Sequence, residues 1–523
     1  MEIEYNLTVK QGDDIYTYKV EYNTPLYHVL LMQGFISTHD SCNGTGLCGK
    51  CLIKASGRLN KQTAEERSLV GDKLSRSGYR LACYCYVRGN CTVTLPPAED
   101  GGMSQHEYGF SVDLGSSTIM VHLYDVKNQR LIQRLEQNNR QLAISLDIPG
   151  RIRAWKQSPE SKNEMHSMLV DQLESMMLTI LNEQSISPKR IKEIYVVGNT
   201  CMIHMLAGID VSPLASPDSA PLTRDNLSVK AKNVGFQSLG HAHLNLMGSI
   251  SGSIGSDAVS SALVVGVYKS QLPSLILNFG TNTEILLGNK NVLLALSIGS
   301  TPALEGSGLS CVLSPASRPG VITNLYKDKY KICYHTVDDA PPIGISPVAA
   351  FEALEIMLDM GIIDKHGKMH DASTLRSSRL RMLGTVNGEQ VFFVDRKHDI
   401  YITQQDIYTL IRLKATILCN VQLLLEEFDI SSADEVAALY FTNIFGGMLN
   451  PQTAINIGIV PEIFEHCVYG IGDSVIRGAS MLLCSPRARA NAEHIRTYAH
   501  EIRIPPCEDY EKRLADAMEL RRY

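Results

Sequence analysis

Ser41-Cys42-Asn-Gly-Thr-Gly-Leu-Cys48-Gly-Lys-Cys51, answered further on by Arg80-Leu-Ala-Cys83, is the stretch that says most about this 523-residue chain. Five residues separate the first two cysteines, two separate the next pair, and 31 precede Cys83. Six of the 13 cysteines fall between Cys42 and Cys91, and the other seven are scattered singly. The first twenty residues are polar and alternating, with no signal-peptide core, and a chain of this size in a reducing compartment is a poor disulfide scaffold. Clustered cysteines then point to a metal, and isolated ones to small buried hydrophobes. Three thiolates from one glycine-rich loop and a fourth from a distant anchor can converge on two sulfide-bridged irons. Gly44, Gly46 and Gly49 let the loop wrap with its N–H groups toward the sulfides. Four cysteines also suit tetrahedral zinc, but zinc ribbons favour two Cys-x-x-Cys knuckles and only one such pair is present. The reading is a [2Fe–2S] cluster on Cys42, Cys48, Cys51 and Cys83. Cys85, two residues beyond Cys83, would share its face on a strand and could compete as a ligand; Cys91 reads as core.

Working outward, residues 1–96 form one texture. Tyr5-Asn-Leu-Thr-Val-Lys and Tyr16-Thr-Tyr-Lys-Val-Glu alternate, and the polar turn from Gln11 joins them into a hairpin. Thr24-Pro25 opens a helix that Gly34 can close, and Thr92-Val-Thr-Leu is a last strand. Residues 97–107 are a linker. From Tyr108 the texture is α/β: strand runs at 109–115, 194–198, 275–280 and 438–442 alternate with helical patterns at 164–182 and 403–428. This body extends to residue 485, and a charged, helical tail occupies 486–523.

Two of the strand ends carry similar turns, Asp113-Leu-Gly115-Ser116-Ser117-Thr118 and Asn278-Phe-Gly280-Thr281-Asn282-Thr283-Glu284. Glycine lets such a turn approach a phosphate, hydroxyls and N–H groups donate to its oxygens, and Asp113 would face a magnesium ion or its waters. A tight β-hairpin turn is the plainer alternative for the first. Two turns facing each other across a cleft resemble the nucleotide grip of the actin, sugar-kinase and Hsp70 superfamily. Phe445-Gly446-Gly447 suits that superfamily's adenosine-contacting glycine pair. No G-x-G-x-x-G follows a first strand, which sets a Rossmann fold aside.

The cysteine loop, with the hairpin and helix before it, resembles the plant and vertebrate [2Fe–2S] ferredoxins and implies their β-grasp fold. Such a domain fused to a two-lobed actin/Hsp70/sugar-kinase-like (ribonuclease H-like) domain resembles the reductive activators of corrinoid-dependent methyltransferases. Further segments are similar to that family: Val197-Gly-Asn199-Thr-Cys-Met202-Ile-His204, Gly255-Ser-Asp257, Thr301-Pro-Ala-Leu-Glu305-Gly306, Ile402-Thr-Gln-Gln-Asp406-Ile and Gly458-Ile-Val-Pro461. Members can carry an extra domain between the two parts, and the short linker leaves no room for one. The resemblance implies one-electron return of a stranded Co(II) corrinoid protein to Co(I), fed by an upstream low-potential donor and driven by ATP with Mg2+. A cluster of this type sits near roughly −400 mV, and Co(I) is the stronger reductant. Each ~59 mV of shortfall is a factor of ten for one electron, so a nucleotide that binds two conformations unequally can supply the difference. Asp113 and Glu305 are the candidate catalytic acids, Glu305 alternatively a helix cap. Gly115, Ser116, Ser117, Thr118, Gly280, Thr281, Asn282, Thr283, Gly446 and Gly447 are the candidate nucleotide contacts. The chain departs from the family at Asn278, where an acid is usual, at Gly344-Ile-Ser346-Pro347, and at Thr442-Asn443-Ile444. An amide can neither act as base nor bind metal water with a charge, so an electron carrier that does not hydrolyse ATP is the alternative.

A net charge of −6 gives no footprint for nucleic acid or anionic membrane. The apolar runs read as too short to cross a bilayer, so a cytoplasmic protein is expected, and a homodimer is common in the superfamily. His204 reads as a satisfied core or interface histidine rather than a cobalt contact, and Asp257 as a helix cap. Met165, Met168, Met176 and Met177 have core spacing, and Trp155 after Arg151-Ile-Arg153 could form a partner-facing edge.

Overall fold

The computed structural model describes residues 4–11, 14–33, 35, 51–95, 107–216, 220–280, 282–298, 308–313, 318–329, 331–371, 382–503 and 507–523. Cys42, Cys48, Thr281 and Glu305 lie outside them.

The alternating N-terminal stretches pair as expected. Strands β1 (Tyr5–Gln11) and β2 (Asp14–Val20) form an antiparallel hairpin, Tyr5 opposite Val20. With β3 (Leu52–Leu59), β4 (Tyr79–Leu81) and β5 (Val87–Leu95) they complete a five-stranded sheet in the order β2-β1-β5-β3-β4. The helix Leu26–Met32 packs Leu26, Tyr27 and Leu30 onto Leu7, Val9, Ile53 and Val93. Its cap differs from the expectation. Pro25 itself occupies the cap position with no side-chain bond, because the Thr24 hydroxyl donates instead to the Glu21 carbonyl at 2.9 Å. The sheet crossed by one helix is the β-grasp arrangement.

The rest of the chain builds two lobes on one plan. In the first, β6 (Tyr108–Leu114), β7 (Thr118–Asp125), β8 (Arg130–Asn138), β9 (Ile191–Gly198), β10 (Leu227–Lys230) and β11 (His243–Leu246) give the order β10-β11-β9-β6-β7-β8. β6, β7 and β8 form an antiparallel meander, while β9 runs parallel to β6 and β11 parallel to β9. The helix Pro159–Glu183 covers this sheet with Met165, Leu169, Leu173, Met176 and Met177, all fully buried. In the second lobe β12 (Ser274–Asn278), β13 (Thr283–Gly288) and β14 (Leu293–Ile298) repeat the meander. Two three-stranded sheets follow: β15 (Val321–Asp328), β16 (Lys331–Thr336) and β17 (Gly344–Ile345), then β18 (Leu383–Val386), β19 (Glu389–Asp395) and β20 (Ile400–Thr403). β21 (Ala438–Thr442), β22 (Val468–Ile471) and β23 (Ala499–Glu501) return to the main sheet, ordered β22-β21-β12-β13-β14-β23. The faint duplication in the sequence is thus a duplication of strand order. It is the two-lobed architecture of the actin and sugar-kinase superfamily.

Two short helices, Ser256–Val265 and Ser474–Cys484, pack together between the sheets. They touch at Gly478, where a Cβ would come within 2.6 Å of Ser260, so only glycine permits the contact. The tail is not wholly helical. Between the helices Pro486–Tyr498 and Glu508–Ala517, β23 adds to β14 in parallel, because the edge of that sheet has unpaired backbone groups to offer.

Two further expectations fail. Arg151 and Trp155 form no exposed edge: Arg151 is fully buried, and the Trp155 indole N–H donates to Asp210 at 3.0 Å. The helix Gln404–Glu427 is also long and apolar enough to cross a bilayer by length and composition. It is a core helix instead. Most of its apolar length is buried, and its mid-helix Lys414 donates to the Glu519 carbonyl and lies 5.0 Å over the Tyr523 ring.

Candidate functional site

Cys51 and Cys83 come together although 31 residues separate them. Cys51 precedes β3, and Cys83 sits in the single turn Ala82–Tyr84 that ends β4. β3 and β4 pair with Leu52 opposite Leu81, the Ala82 N–H donates to the Cys51 carbonyl at 2.9 Å, and the two sulfurs lie 3.2 Å apart. The thiols are not joined as a disulfide. Two thiolates held side by side, one from the cysteine loop and one from the distant anchor, fit a shared metal centre, and all-sulfur donors suit iron–sulfide chemistry.

A buried network fixes this pair. Arg80 donates bidentately to Glu66, Nε to Oε1 at 2.7 Å and Nη2 to Oε2 at 2.9 Å. Glu66 also accepts from the Leu81 N–H at 2.9 Å, and Arg80 Nη1 donates to the Asn60 carbonyl at 3.0 Å. The Asn60 side chain spans the turn, donating to Tyr84 O and accepting from Tyr86 N at 2.8 and 2.7 Å. Both flanks of Cys83 are therefore clamped. Cys85 follows a turn rather than lying on a strand, so the alternation that would have placed it beside Cys83 does not apply. It is 1% exposed, and burial pushes its thiol up to about 12, which keeps it protonated. Cys91 is core as expected, its thiol raised to about 11 by burial.

The second site lies between the lobes. Residues 115–118 are the hairpin turn between β6 and β7, tight enough that a Cβ on Gly115 would meet the Thr118 carbonyl at 2.4 Å. Its carbonyl groups are held from behind, Gly115 O by Asn139 Nδ2 at 2.9 Å and Ser116 O by Arg151 Nη2 at 2.6 Å. Sequence reasoning missed this role for Arg151, since nothing local marks a buried cation. The second hairpin turn, between β12 and β13, occupies the equivalent place in the other lobe, with Gly280 beside Asn443.

Acidic side chains from both lobes converge there. Burial, with the nearby charges of Asp257, Asp473 and Glu136, holds the Asp113 carboxyl well above the usual range. Asp257 is raised to about 6 by burial, and Glu284 is raised by burial and by Asp257. Asp257 stands in the first turn of the helix Ser256–Val265 rather than at its cap position, which is Gly255, and its carboxylate accepts from the Ala258 N–H at 3.0 Å. Asp473, Glu284 and Glu136 were not assigned roles from the sequence. Glu284 lies opposite Asn278 in the β12/β13 register, a placement that residue spacing alone does not reveal.

Asn278 is locked in place. Its Nδ2 donates to Glu284 Oε2 at 2.9 Å, and its Oδ1 accepts from Thr442 Oγ1 at 3.0 Å and from Ser261 Oγ at 3.4 Å. The amide is what lets Glu284 sit against it without charge repulsion. Gly446 and Gly447 are explained by the chain's own packing. A Cβ on Gly446 would meet Phe441 backbone at 2.8 Å, and one on Gly447 would meet Gly472 backbone at 2.8 Å. Among the described residues no three acidic, histidine or cysteine side chains are spaced to ligate one ion.

Raised acid pKa values set a pH dependence. The folded chain holds the Asp257 proton more tightly than the unfolded chain, so its stabilisation is complete below about pH 4 and lost as pH rises through about 6. Nucleotide-free protein is expected to lose roughly 3 kcal/mol from Asp257 between pH 4 and 7. Melting curves across that range check it. An unchanged pH slope in Asp257→Asn would refute the assignment.

A ferredoxin-type domain joined to an actin-like domain with an acid-lined interlobe cleft defines the class. Three family models match in succession: the 2Fe-2S iron–sulfur cluster binding domain over residues 10–88, the RACo middle region over 108–270, and the C-terminal domain of RACo, the ASKHA domain, over 273–523. The chain belongs to the RACo family. It is 25% identical over 407 residues to "Corrinoid activation enzyme RamQ" of Eubacterium limosum, covering 76% of this chain and 68% of that one. It is 21% identical over 294 residues to "[Co(II) methylated amine-specific corrinoid protein] reductase" of Methanosarcina barkeri, covering 50% of this chain and 53% of that one. A solved structure titled "Reductive activator for corrinoid,iron-sulfur protein" shares the fold, with TM-score 0.73, 21% identity and 99% of each chain covered.

Proposed function

We propose that the chain performs ATP-dependent one-electron reductive activation of a corrinoid protein, returning inactive Co(II) to Co(I). The observation that carries this reading is the joining of the side-by-side Cys51–Cys83 pair to an acid-lined interlobe cleft in one chain. The names of the two relatives support it. In this proposal residues 1–96 are the ferredoxin-type domain, 97–107 the linker, 108–485 the ATPase-like domain and 486–523 the tail. An upstream low-potential donor and a homodimeric state belong to it too.

Cys42, Cys48, Cys51 and Cys83 would hold the [2Fe–2S] cluster, which when bound accepts and releases one electron. Glu66 and Arg80 keep the Cys83 turn rigid, which lowers the reorganisation that electron transfer demands. The turns at 115–118 and 280–283 would take the nucleotide phosphates. Asp113 and Asp257, with Glu305 beyond the described residues, would orient the waters of the accompanying Mg2+. A bound cation favours their ionised forms, so binding releases protons. Closure about the helix pair at Gly478 would then favour one arrangement of the lobes.

The test is anaerobic mixing of reduced protein with a Co(II) corrinoid protein, reading Co(I) absorbance with and without MgATP. Nucleotide-dependent Co(I) formation is expected. Equal formation without nucleotide would defeat the reading.

The locked amide of Asn278 favours a second reading, a carrier that binds nucleotide without turnover. The first reading predicts that Asn278→Asp does not raise turnover, because the new carboxylate would stand at hydrogen-bond distance from Glu284. It should instead destabilise the protein by about 1–3 kcal/mol at neutral pH and less at pH 5. Parallel ATPase assays and denaturation at both pH values decide; turnover gained by the variant would identify Asn278 as a catalytic lesion.

A further inference from the structure

The charged tail belongs to the second lobe by its backbone. After the helix Pro486–Tyr498, β23 joins that lobe's sheet with Ala295 opposite Glu501, and the Ile502 N–H donates to the Ala295 carbonyl at 2.8 Å. Its side chains reach the first lobe. Arg489 Nη2 donates to Glu193 at 3.1 Å, Asn226 Nδ2 donates to Glu493 at 2.8 Å, and Arg496 Nη1 donates to the Arg224 carbonyl at 3.1 Å. The tail is a strap across both lobes.

At its end the strap meets the loop that leads to Asp257. Glu501 Oε1 accepts from the Ser251 hydroxyl at 3.0 Å and from the Ser253 hydroxyl, while its Oε2 accepts from Arg503 Nη2 at 3.2 Å. Ser251 is buried and ties the loop together. Its Oγ accepts from the Ser253 and Ile254 N–H groups at 3.2 and 3.1 Å, and its carbonyl accepts from the Thr200 hydroxyl at 2.8 Å.

The loop then closes on the turn after β9. A Cβ on Gly255 would come within 2.5 Å of Asn199 Cα. The Ser256 hydroxyl accepts from the Gly198 N–H at 3.0 Å and donates to the Gly198 carbonyl at 2.9 Å. Asp257 is the next residue. Its place in the cleft is set by the Glu501–Ser251 contact on one side and the β9 contact on the other. Hydrogen bonds to an ionised carboxylate are stronger than neutral ones. Groups one layer behind a metal's own ligands change its affinity by about 10- to 100-fold.

We propose that Glu501 is a positioning residue of the nucleotide site: anchored on the second lobe's sheet, it holds the first lobe's loop 249–255 so that Asp257 meets the waters of nucleotide-bound Mg2+. The inference rests on the nucleotide reading given above and adds to it a residue that touches neither nucleotide nor metal. The parallel pairing of β23 with β14 is what brings residue 501 over the loop.

The test is titration calorimetry on the whole chain with ADP, once with Mg2+ and once in EDTA. The parent is expected to bind MgADP more tightly than ADP alone. Glu501→Ala should bind MgADP more weakly by about tenfold or more and leave binding of ADP in EDTA unchanged. Glu501→Gln keeps an oxygen that accepts from the serine hydroxyls and should retain most of the Mg2+-dependent gain. Hydrogen exchange of the amides at 250–256 should quicken in Glu501→Ala and not in Glu501→Gln. Equal weakening of both nucleotide forms in Glu501→Ala, or a full Mg2+-dependent gain there, overturns the proposal and leaves the nucleotide reading standing. A parent that binds neither form, or both alike, defeats the nucleotide reading and this inference with it. Should Glu501→Ala fail to fold, Ser253→Ala, a change at an exposed residue, carries the same comparison, and an undiminished Mg2+-dependent gain overturns the proposal.

Discussion

Anaerobically purified Cys83→Ser protein is expected to be colourless, to lack iron and to deliver no electron to a Co(II) corrinoid protein. The effect is all-or-none because Cys83 supplies the ligand that the loop at 42–51 lacks. It reaches the pair through β4, whose partner β3 begins beside Cys51. Serine preserves the shape and removes the soft thiolate that iron–sulfide chemistry needs. Iron analysis and visible absorbance read the first loss, and Co(I) formation the second. Retained colour would move the ligand role to Cys85, two residues further on.

Glu66→Ala should cost about 3–5 kcal/mol in the stability of the N-terminal domain, the toll of stranding a buried charge. Glu66 is fully buried, and the Arg80 side chain is 12% exposed. Removing the carboxylate leaves the guanidinium with one carbonyl and frees the Leu81 N–H two residues from Cys83. Faster cluster loss during denaturant titration, followed at the cluster's visible band, is the expected readout. The double variant Glu66→Ala/Arg80→Leu should recover much of the deficit, since no unpaired cation remains. A single variant as stable as the parent would show that the pair contributes nothing to holding the turn.

The two turns behave differently under substitution because their partners differ. Asp113 precedes a hairpin turn supported from behind by Arg151 and Asn139. Asn278 is spent on its neighbours. The acid beside the second turn is Glu284 on β13, opposite Asn278.

Local chemistry made several features legible in the order of residues. Cysteine spacing with three glycines marks a metal loop, because few backbones bring so many thiolates together without it. Alternation in β1 shows a half-exposed strand, and the apolar run of β12 a strand covered on both faces. The repeated strand–glycine turns announce a duplicated fold. What stayed hidden depends on contacts between residues far apart in the chain. The Glu66–Arg80 pair, the buried Arg151 behind Ser116, the Asn278–Glu284 lock and the unsatisfied His204 nitrogen each arise when sheets and helices close around a polar group. Burial changes the free energy of charge and hydrogen bonding by several kcal/mol, and burial is a property of the packed molecule. A sequence states which groups a chain carries, and only its folding determines which of them lose water and what they find in its place.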